Sequence, residues 1–293
     1  MIPKTAQNAT AKAILLMILS MMWFSAMNIV IRLVSEDMHT TQIVFWRNLI
    51  SIALLLPLVL RGGRDNWKTK RPVRHFWRSC IGVAGMQLWF YCIATLPLNE
   101  ATALSFTAPI FTAIFAVVFL GERAGLHRWS AIGIGFIGAV IIIQPDTEHF
   151  DPNLLIVPLA TTLWAMAALL VKSLTKTEPP DRIVFYMSCF MTLLSFPIAL
   201  IWWEWPTAEQ FGYVALIALA STLAHTSLVR AYAGAEMVTL MPFEFARLLF
   251  TALFAWAMFG ETASAATWIG GAVIVASAAY IAYREALKKR KAA

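Results

Sequence analysis

Two oppositely charged residues, Glu244 and Arg247, interrupt an otherwise apolar stretch at positions 237–260. They stand three positions apart, so a helix would present both on one face. A charge at the depth of a bilayer is costly and usually faces a bundle interior or water. The spacing therefore predicts one of two arrangements. Either the residues form a structural ion pair, or Arg247 binds a substrate carboxylate or phosphate while Glu244 binds an amine or a proton.

Other apolar stretches also carry polar or aromatic side chains. Arg47 could bind an anion or extend to the membrane surface, as Arg32 could. His225 could relay protons or act as a hydrogen-bonded core residue. The aromatic residues could stack on a planar ligand or pack between helices. The candidate substrate-binding residues are Trp23, Asn28, Arg47, Trp89, Tyr91, Trp164, His225, Glu244 and Arg247.

The sequence offers no set of residues for catalysis. It contains no G-x-S-x-G, H-E-x-x-H or P-loop pattern, and its three cysteines have no metal or redox spacing. Residues 133–138, GIGFIG, match a dinucleotide fingerprint but lie inside an apolar stretch. Small residues there favour close packing of helices. We therefore predict no enzyme activity, no metal and no cofactor.

The composition is that of a membrane protein. Hydrophobic residues make up 60% of the 293 positions and charged residues 13%, whereas soluble domains carry about 25% charged residues. A helix that crosses the bilayer needs about 20 mostly apolar residues. Ten stretches fit this description. The predicted spans are 13–31, 42–60, 79–99, 101–121, 129–144, 153–171, 183–203, 211–229, 237–260 and 262–283.

The net charge of +7 is explained by membrane topology. If the N-terminus is cytoplasmic, every lysine and arginine except Arg32, Arg47 and Arg247 falls on the cytoplasmic side. Basic residues are concentrated in this way in cytoplasmic loops. We predict a multi-pass protein of the inner (plasma) membrane with both termini in the cytoplasm. The basic charge therefore gives no reason to expect nucleic acid as a partner.

One motif occurs twice and divides the chain into halves. Residues 111–122, FTAIFAVVFLGE, match residues 250–261, FTALFAWAMFGE, at seven of twelve positions, with an offset of 139. Because each half holds five predicted spans, the halves must be inverted copies, as in many secondary transporters. We place them at 13–144 and 153–283. Trp23 and Trp164 are 141 residues apart, which predicts a paired role near the pseudo-two-fold axis.

The chain resembles the EamA-type members of the drug/metabolite transporter superfamily. The resemblance rests on ten predicted helices, two repeats, and a Gly-Glu pair that closes the fourth helix of each repeat, Gly121-Glu122 and Gly260-Glu261. It implies an all-α membrane protein with a central cavity lined by helices 1, 3, 4, 6, 8 and 9. The fold alone names no substrate.

The predicted function is secondary transport of a small metabolite by alternating access. The main prediction is export of an amino acid or related metabolite. The alternatives are uptake of a vitamin or adenosyl-type metabolite, such as riboflavin or S-adenosylmethionine, a lipid flippase and, less favoured, an intramembrane enzyme. With no nucleotide-binding motif in the sequence, accumulation would depend on a substrate, proton or ion gradient. The sequence is compatible with a monomer or a homodimer.

The predicted topology can be tested with reporter fusions. Fusions at position 148 should report the outside, and fusions at positions 66, 176 and 290 the cytoplasm, because the basic residues flank the latter positions. The readout is a pair of reporters that are active on opposite sides of the membrane. A cytoplasmic signal at position 148 would contradict the inverted repeat.

Overall fold

The computed structural model describes residues 4–61, 68–108, 110, 126–143, 151–235, 240 and 243–292. These residues form ten α-helices and two short 3-10 helices. The α-helices are α1 Lys4–Val34, α2 Thr40–Arg61, α3 Pro72–Thr95, α4 Leu98–Ser105, α5 Leu126–Ile143, α6 Ile156–Leu174, α7 Pro180–Ala199, α8 Ala208–Gly234, α9 Ala246–Phe259 and α10 Ala265–Ala292.

Local chemistry fixes several helix ends. Pro72 and Pro180 stand at the first positions of α3 and α7, where the missing proline N–H costs nothing. Thr207 and Gln210 form a reciprocal capping box at the start of α8. Gly260 ends α9 in the left-handed conformation with φ of 65°, which glycine adopts without steric cost.

The ten predicted spans each overlap one of these helices. Within the described part of the chain, four helical segments are long and apolar enough to cross a membrane, namely Thr10–Val34, Pro152–Leu174, Pro180–Trp202 and Ala208–Gly234. Three shorter apolar helices, Trp129–Ile142, Ala246–Phe259 and Ala265–Ser277, accompany them. The first copy of the repeated motif, with Gly121 and Glu122, lies outside the described residues.

Two residues near the third predicted span lie in other elements than predicted. Helix α3 begins at Pro72 rather than at residue 79, because proline is favoured at a helix start. Arg78, predicted to lie in a cytoplasmic loop, is therefore a helical residue, and it is buried. Asn99, predicted to end the third span, lies in α4.

The distribution of side chains differs from that of a soluble protein, because large apolar side chains lie on the outside as well as in the core. Ser20, Asn48 and Thr102 are fully buried, whereas Leu193 and Ile201 are each 66% exposed. Large apolar side chains on the outside suit a lipid solvent, and polar side chains between helices find partners there. This arrangement supports the all-α membrane architecture.

The helix packing follows a pseudo-two-fold axis that exchanges the halves. Each helix of the first half corresponds to the helix five places later in the chain. The exchange therefore relates the contact between α1 and α8 to the contact between α3 and α6, and the contact between α2 and α8 to that between α3 and α7. The contacts α2–α7, α4–α9 and α5–α10 are each related to themselves. Two pairs of repeat mates also touch. Phe106 and Phe245 are 139 positions apart in the sequence, and their ring centroids lie 4.8 Å from each other. Phe24 and Trp164 are 140 positions apart, and their ring centroids lie 5.3 Å from each other. Phe24, and not Trp23, is therefore the mate of Trp164.

The second Gly-Glu pair, Gly260-Glu261, connects the two halves at the face of the bundle where α1 ends. The Glu261 carboxylate lies 3.6 Å from Arg32 and accepts a hydrogen bond of 3.2 Å from the backbone N–H of Asn99. Asn99 lies in the first turn of α4, where N–H groups lack intrahelical partners and a negative charge is favoured. Glu261 thus caps a helix of the other repeat.

A second set of contacts joins the halves at the opposite face. We call it the terminal face, because α1 and α3 begin there and α8 and α10 end there. Glu178 accepts hydrogen bonds from Thr69 Oγ1 at 2.7 Å, the Lys70 N–H at 3.1 Å and Arg182 Nη1 at 2.8 Å. Burial alone would raise the pKa of Glu178. The hydrogen bonds from Thr69, Arg182 and Lys70 outweigh this effect and lower its pKa.

Glycines bring α5 and α10 into close contact. A Cβ atom at Gly138 would lie 2.8 Å from the carbonyl oxygen of Gly270, and one at Gly270 would lie 2.5 Å from that of Gly138. At Gly135 an added Cβ would meet Ile110 at 2.1 Å. These contacts confirm that the GIGFIG segment serves helix packing.

We expect Gly138→Ala to lower the free energy of unfolding by about 1–3 kcal/mol, because the added methyl group overpacks the contact with α10. Gly133→Ala is the matched control, since an added Cβ there meets nothing within 4 Å. It should be neutral or stabilise the helix slightly. Thermal unfolding of both variants in one detergent gives the comparison. Equal melting temperatures would contradict the close contact.

Candidate functional site

A small cavity lies between α3, α6, α7 and α8, in the half of the bundle nearer the terminal face. About 30 Å³ of it is open to a water-sized molecule, whereas sites for drug-sized ligands measure about 300–1,000 Å³. The cavity is thus too small for a metabolite in this conformation, and binding one requires the helices to move apart. Its lining residues are Arg78, Gly82, Met86, Trp164, Ala167, Ala168, Val171, Met191, His225, Leu228, Val229 and Tyr232.

Three rings from three helices meet at the central end of this cavity. The Trp164 and His225 rings are stacked, with centroids 6.0 Å apart and planes 15° apart. Phe24 packs edge-on against both, at 5.3 Å from Trp164 and 5.0 Å from His225. His225 is buried, and its Nε2 has no hydrogen-bond partner. An unsatisfied ring nitrogen beside an indole can accept a polar, planar ligand.

Arg247 lies between two aromatic rings. Its guanidinium carbon is 5.5 Å from the ring centroids of both Trp89 and Phe106, and Nη2 donates to Ser105 Oγ. Its Nε is buried without a hydrogen-bond partner. Cation–π contact stabilises a desolvated guanidinium. The arrangement leaves part of the donor set available to an anion.

Glu244 does not pair directly with Arg247. The described ion pairs do not include these two residues, and Glu244 instead accepts a hydrogen bond of 3.3 Å from the Tyr232 hydroxyl. A turn at Phe245 separates Glu244 from α9, which interrupts the helix face that the spacing predicted. The structural ion pair is therefore not formed in this conformation, and the substrate role of each residue stays a prediction.

Arg47 is held deep within the bundle. Only 1% of its surface is exposed, its Nε donates to Ser221 Oγ at 2.8 Å, and its Nη1 lies 2.7 Å from Met86 Sδ. The alternative in which Arg47 extends to the membrane surface is therefore wrong. A hydroxyl on a facing helix satisfies the guanidinium in place of interfacial water. Through Met86, Arg47 lies directly behind the cavity wall.

The remaining candidates divide into two groups. Asn28 supports the Arg247 cluster, because its Oδ1 accepts a hydrogen bond of 3.4 Å from the Trp89 indole. Tyr91 is 39% exposed and donates to Asn153 at 3.1 Å, away from the cavity. Trp23 is half-buried against the core and does not line the cavity.

Two cavity residues, Arg78 and Tyr232, were not among the predicted candidates. Arg78 follows a run of basic residues, and positive charge near an apolar stretch is usually a topology signal. The proline at position 72 was the available indication, because it marks a helix start well before Arg78. Tyr232 follows the predicted eighth span, and no pattern in the sequence links it to Glu244.

Comparison with known proteins identifies the family. The model of the EamA-like transporter family matches residues 11–144 and 152–283. The chain belongs to this family. It is therefore a multi-pass membrane transporter of the drug/metabolite transporter superfamily and not an enzyme, as the sequence predicted.

Several curated transporters are similar to this one over almost their whole length. An S-adenosylmethionine uptake transporter of Rickettsia felis is 29% identical and aligns over 92% of this chain and 91% of its own. A riboflavin transporter of Rhizobium johnstonii is 31% identical, over 94% and 93%. A pseudopaline exporter of Pseudomonas aeruginosa is 27% identical, over 89% and 93%.

A solved crystal structure shows the same fold. It aligns with 96% of this chain and 99% of its own with a TM-score of 0.61, at 17% sequence identity. At that identity the likeness concerns the arrangement of helices alone. The architecture of this transporter is therefore one that has been observed experimentally.

We expect Arg247→Gln to abolish transport with little loss of folded protein, because no ion pair with Glu244 is broken. Arg247→Lys should restore transport only partly, since lysine lacks the planar fork of arginine. The measurements are transport into proteoliposomes and the melting temperature of each variant.

The double variant Glu244→Gln/Arg247→Gln separates binding from structure. If the two residues serve only as a structural pair that forms in another conformation, this variant should transport normally, because removing a whole buried pair is often tolerated. We expect it to remain inactive. Full transport by the double variant would exclude a substrate-binding role for Arg247.

Proposed function

We propose that this transporter takes up a metabolite that combines a planar heterocycle with polar groups, of the S-adenosylmethionine or riboflavin class. The observation that carries the proposal is the similarity to transporters of these two compounds over more than nine-tenths of both chains. This similarity supports uptake better than the amino-acid export that was the main sequence prediction.

The rings in the cavity support a planar substrate. Trp164 and His225 present parallel planes at the junction of α6 and α8, with Phe24 beside them from α1. Aromatic rings favour offset stacking with other planar rings, and each such contact adds to the free energy gained from burial. Helix movement that separates the rings would let a purine or flavin enter between or beside them.

The inverted halves supply a route to alternating access. Repeat mates such as Phe106 and Phe245 touch across the pseudo-two-fold axis, so two shapes of the bundle can differ by exchange of the two halves' conformations. The contact between Arg32 and Glu261 joins the halves at the face where α1 ends, and the Glu178 contacts join them at the terminal face. Transport requires that one face opens while the other stays closed.

Export of a metabolite that carries carboxylates is the second candidate. It is favoured by the 27% identity to the pseudopaline exporter. The same cavity and the same two faces would serve, with the gradient that drives transport reversed. The compounds named for the relatives are metabolites, which favours both candidates over a lipid flippase.

Transport assays in proteoliposomes test the proposal. Radiolabelled S-adenosylmethionine or riboflavin should accumulate saturably and unchanged, and excess unlabelled compound should compete. Trp164→Ala should raise the KM about tenfold, because it removes a stacking surface worth about 1 kcal/mol or more. Trp129→Ala, on the exposed side of α5, is the matched control. Absence of uptake of both compounds, with efflux of a carboxylate metabolite instead, would establish the second candidate.

A further inference from the structure

The interior of the transporter holds more positive than negative charge. Among the described residues at the depth of the bundle, Arg47, Arg78 and Arg247 are cationic and Glu244 is anionic. The ion pairs found in the described part of the chain include none of these four residues. Buried charges are normally paired, because an uncompensated charge in an apolar medium is costly. An anionic ligand would supply the missing negative charge wherever protein groups leave one of these arginines poorly satisfied.

Arg78 points into the bundle and not toward the nearby membrane surface. It lies in the second turn of α3 and is only 7% exposed. Its guanidinium lies beside Gly82, with Nη1 3.3 Å and Cζ 3.6 Å from the position a Cβ atom would occupy there. Helical side chains ordinarily lean toward the start of the helix, and a cation near a helix end ordinarily extends to the interface. Arg78 does neither.

The guanidinium of Arg78 is poorly satisfied by protein atoms. Its Nη1 faces the Sδ atom of Met191 at 3.4 Å, and a thioether is a weak acceptor. Its Nε is buried without a hydrogen-bond partner. A guanidinium has five N–H donors in a fork that matches a carboxylate or a phosphate. The geometry thus provides a donor set that lacks an anionic acceptor.

The cavity places this donor set close to the aromatic rings. Arg78, Trp164 and His225 all line it, and the Nε2 atom of His225 also lacks a partner. Tyr232 is the other titratable residue among the lining residues. No carboxylate is among the described residues that line the cavity, so protein groups do not compete for Arg78.

We propose that Arg78 forms an anion subsite, which binds a carboxylate or phosphate of the substrate while the planar part of the substrate packs on Trp164. The proposal rests on the proposed function and narrows it. It favours a substrate with an ionised acid group, such as the amino-acid carboxylate of S-adenosylmethionine, over uncharged riboflavin.

Small anions test the subsite without reference to the transported compound. Acetate and inorganic phosphate, each titrated against chloride at constant ionic strength, should raise the melting temperature of the purified full-length protein by mass action. Arg78→Gln should lose this response, and Arg78→Lys should keep part of it. The matched control is Arg230→Gln, since Arg230 is exposed and pairs with Asp181 at 2.9 Å. A larger response to acetate indicates a carboxylate site, and a larger response to phosphate a phosphate site. An unchanged response in Arg78→Gln would overturn the proposal.

Two glycines provide a test that preserves the arginine. Gly82→Ala places a methyl group against the Arg78 guanidinium, so it should weaken the anion response. Gly212→Ala adds a methyl group where nothing lies within 4 Å and should leave the response unchanged. If Arg78→Gln does not fold, these two glycine variants test whether Arg78 binds the anion. Equal responses in both glycine variants would then count against the subsite.

Transport distinguishes failure of the subsite from failure of the proposed function. The wild-type protein should prefer S-adenosylmethionine over its decarboxylated analogue by about tenfold or more, the usual contribution of a charge-assisted hydrogen bond. Arg78→Gln should abolish this preference. If the preference persists in Arg78→Gln, the subsite is wrong while the function stands. If the anion response depends on Arg78 but neither S-adenosylmethionine nor riboflavin is transported, the function is wrong while the subsite stands.

Discussion

The cost of holding guanidinium groups inside an apolar bundle determines where the polar residues of this transporter lie. Arg47 is satisfied by Ser221 and Met86, and Arg247 by Ser105 and two aromatic faces. Each solution draws atoms from outside the helix that carries the arginine. The positions of the hydroxyl and aromatic residues in α3, α4 and α8 follow from this requirement. The helices in turn must pack closely enough to bring those atoms within reach.

The symmetry of the scaffold does not extend to the charges inside the bundle. At an offset of 140 the mate of Arg47 is Met187, and at 139 the mates of Glu244 and Arg247 are Ser105 and Ala108. The packing contacts that cross the axis, by contrast, are made by mates of like character, such as Phe106 and Phe245. Exchange of conformations between the halves can therefore alternate the open face, while the charged groups stay with fixed helices. The helix arrangement is thus symmetric, whereas the charged residues of the candidate site are not.

The sequence predicted the helices better than the cavity. Long apolar stretches predict membrane helices because backbone groups in lipid must be satisfied within the helix, and all ten predicted spans overlap observed helices. Trp164 and His225, two of the candidate substrate-binding residues, line the cavity, and their role in binding stays a prediction. Tyr91 lies outside the cavity, because side-chain direction on a helix depends on contacts that hydropathy does not encode. Arg78 was missed for the same reason, since a basic residue beside an apolar stretch looks identical whether it faces solvent or the bundle.

The depths of the charged residues suggest how an anionic group would pass through the bundle. Arg78 and Trp89, which contacts Arg247, are eleven residues apart on α3, or roughly 16 Å along the helix axis. Met86, which contacts Arg47, lies between them on the same helix. Helix α3 therefore carries Arg78 and contacts Arg47 and Arg247 at increasing distance from the terminal face. A single strong site would hold an anion too tightly to release it, whereas several partly satisfied sites lower the barrier between faces. Because Arg78 and Arg247 each keep a buried Nε without a hydrogen-bond partner, the partial satisfaction that is costly for stability would suit release of the substrate.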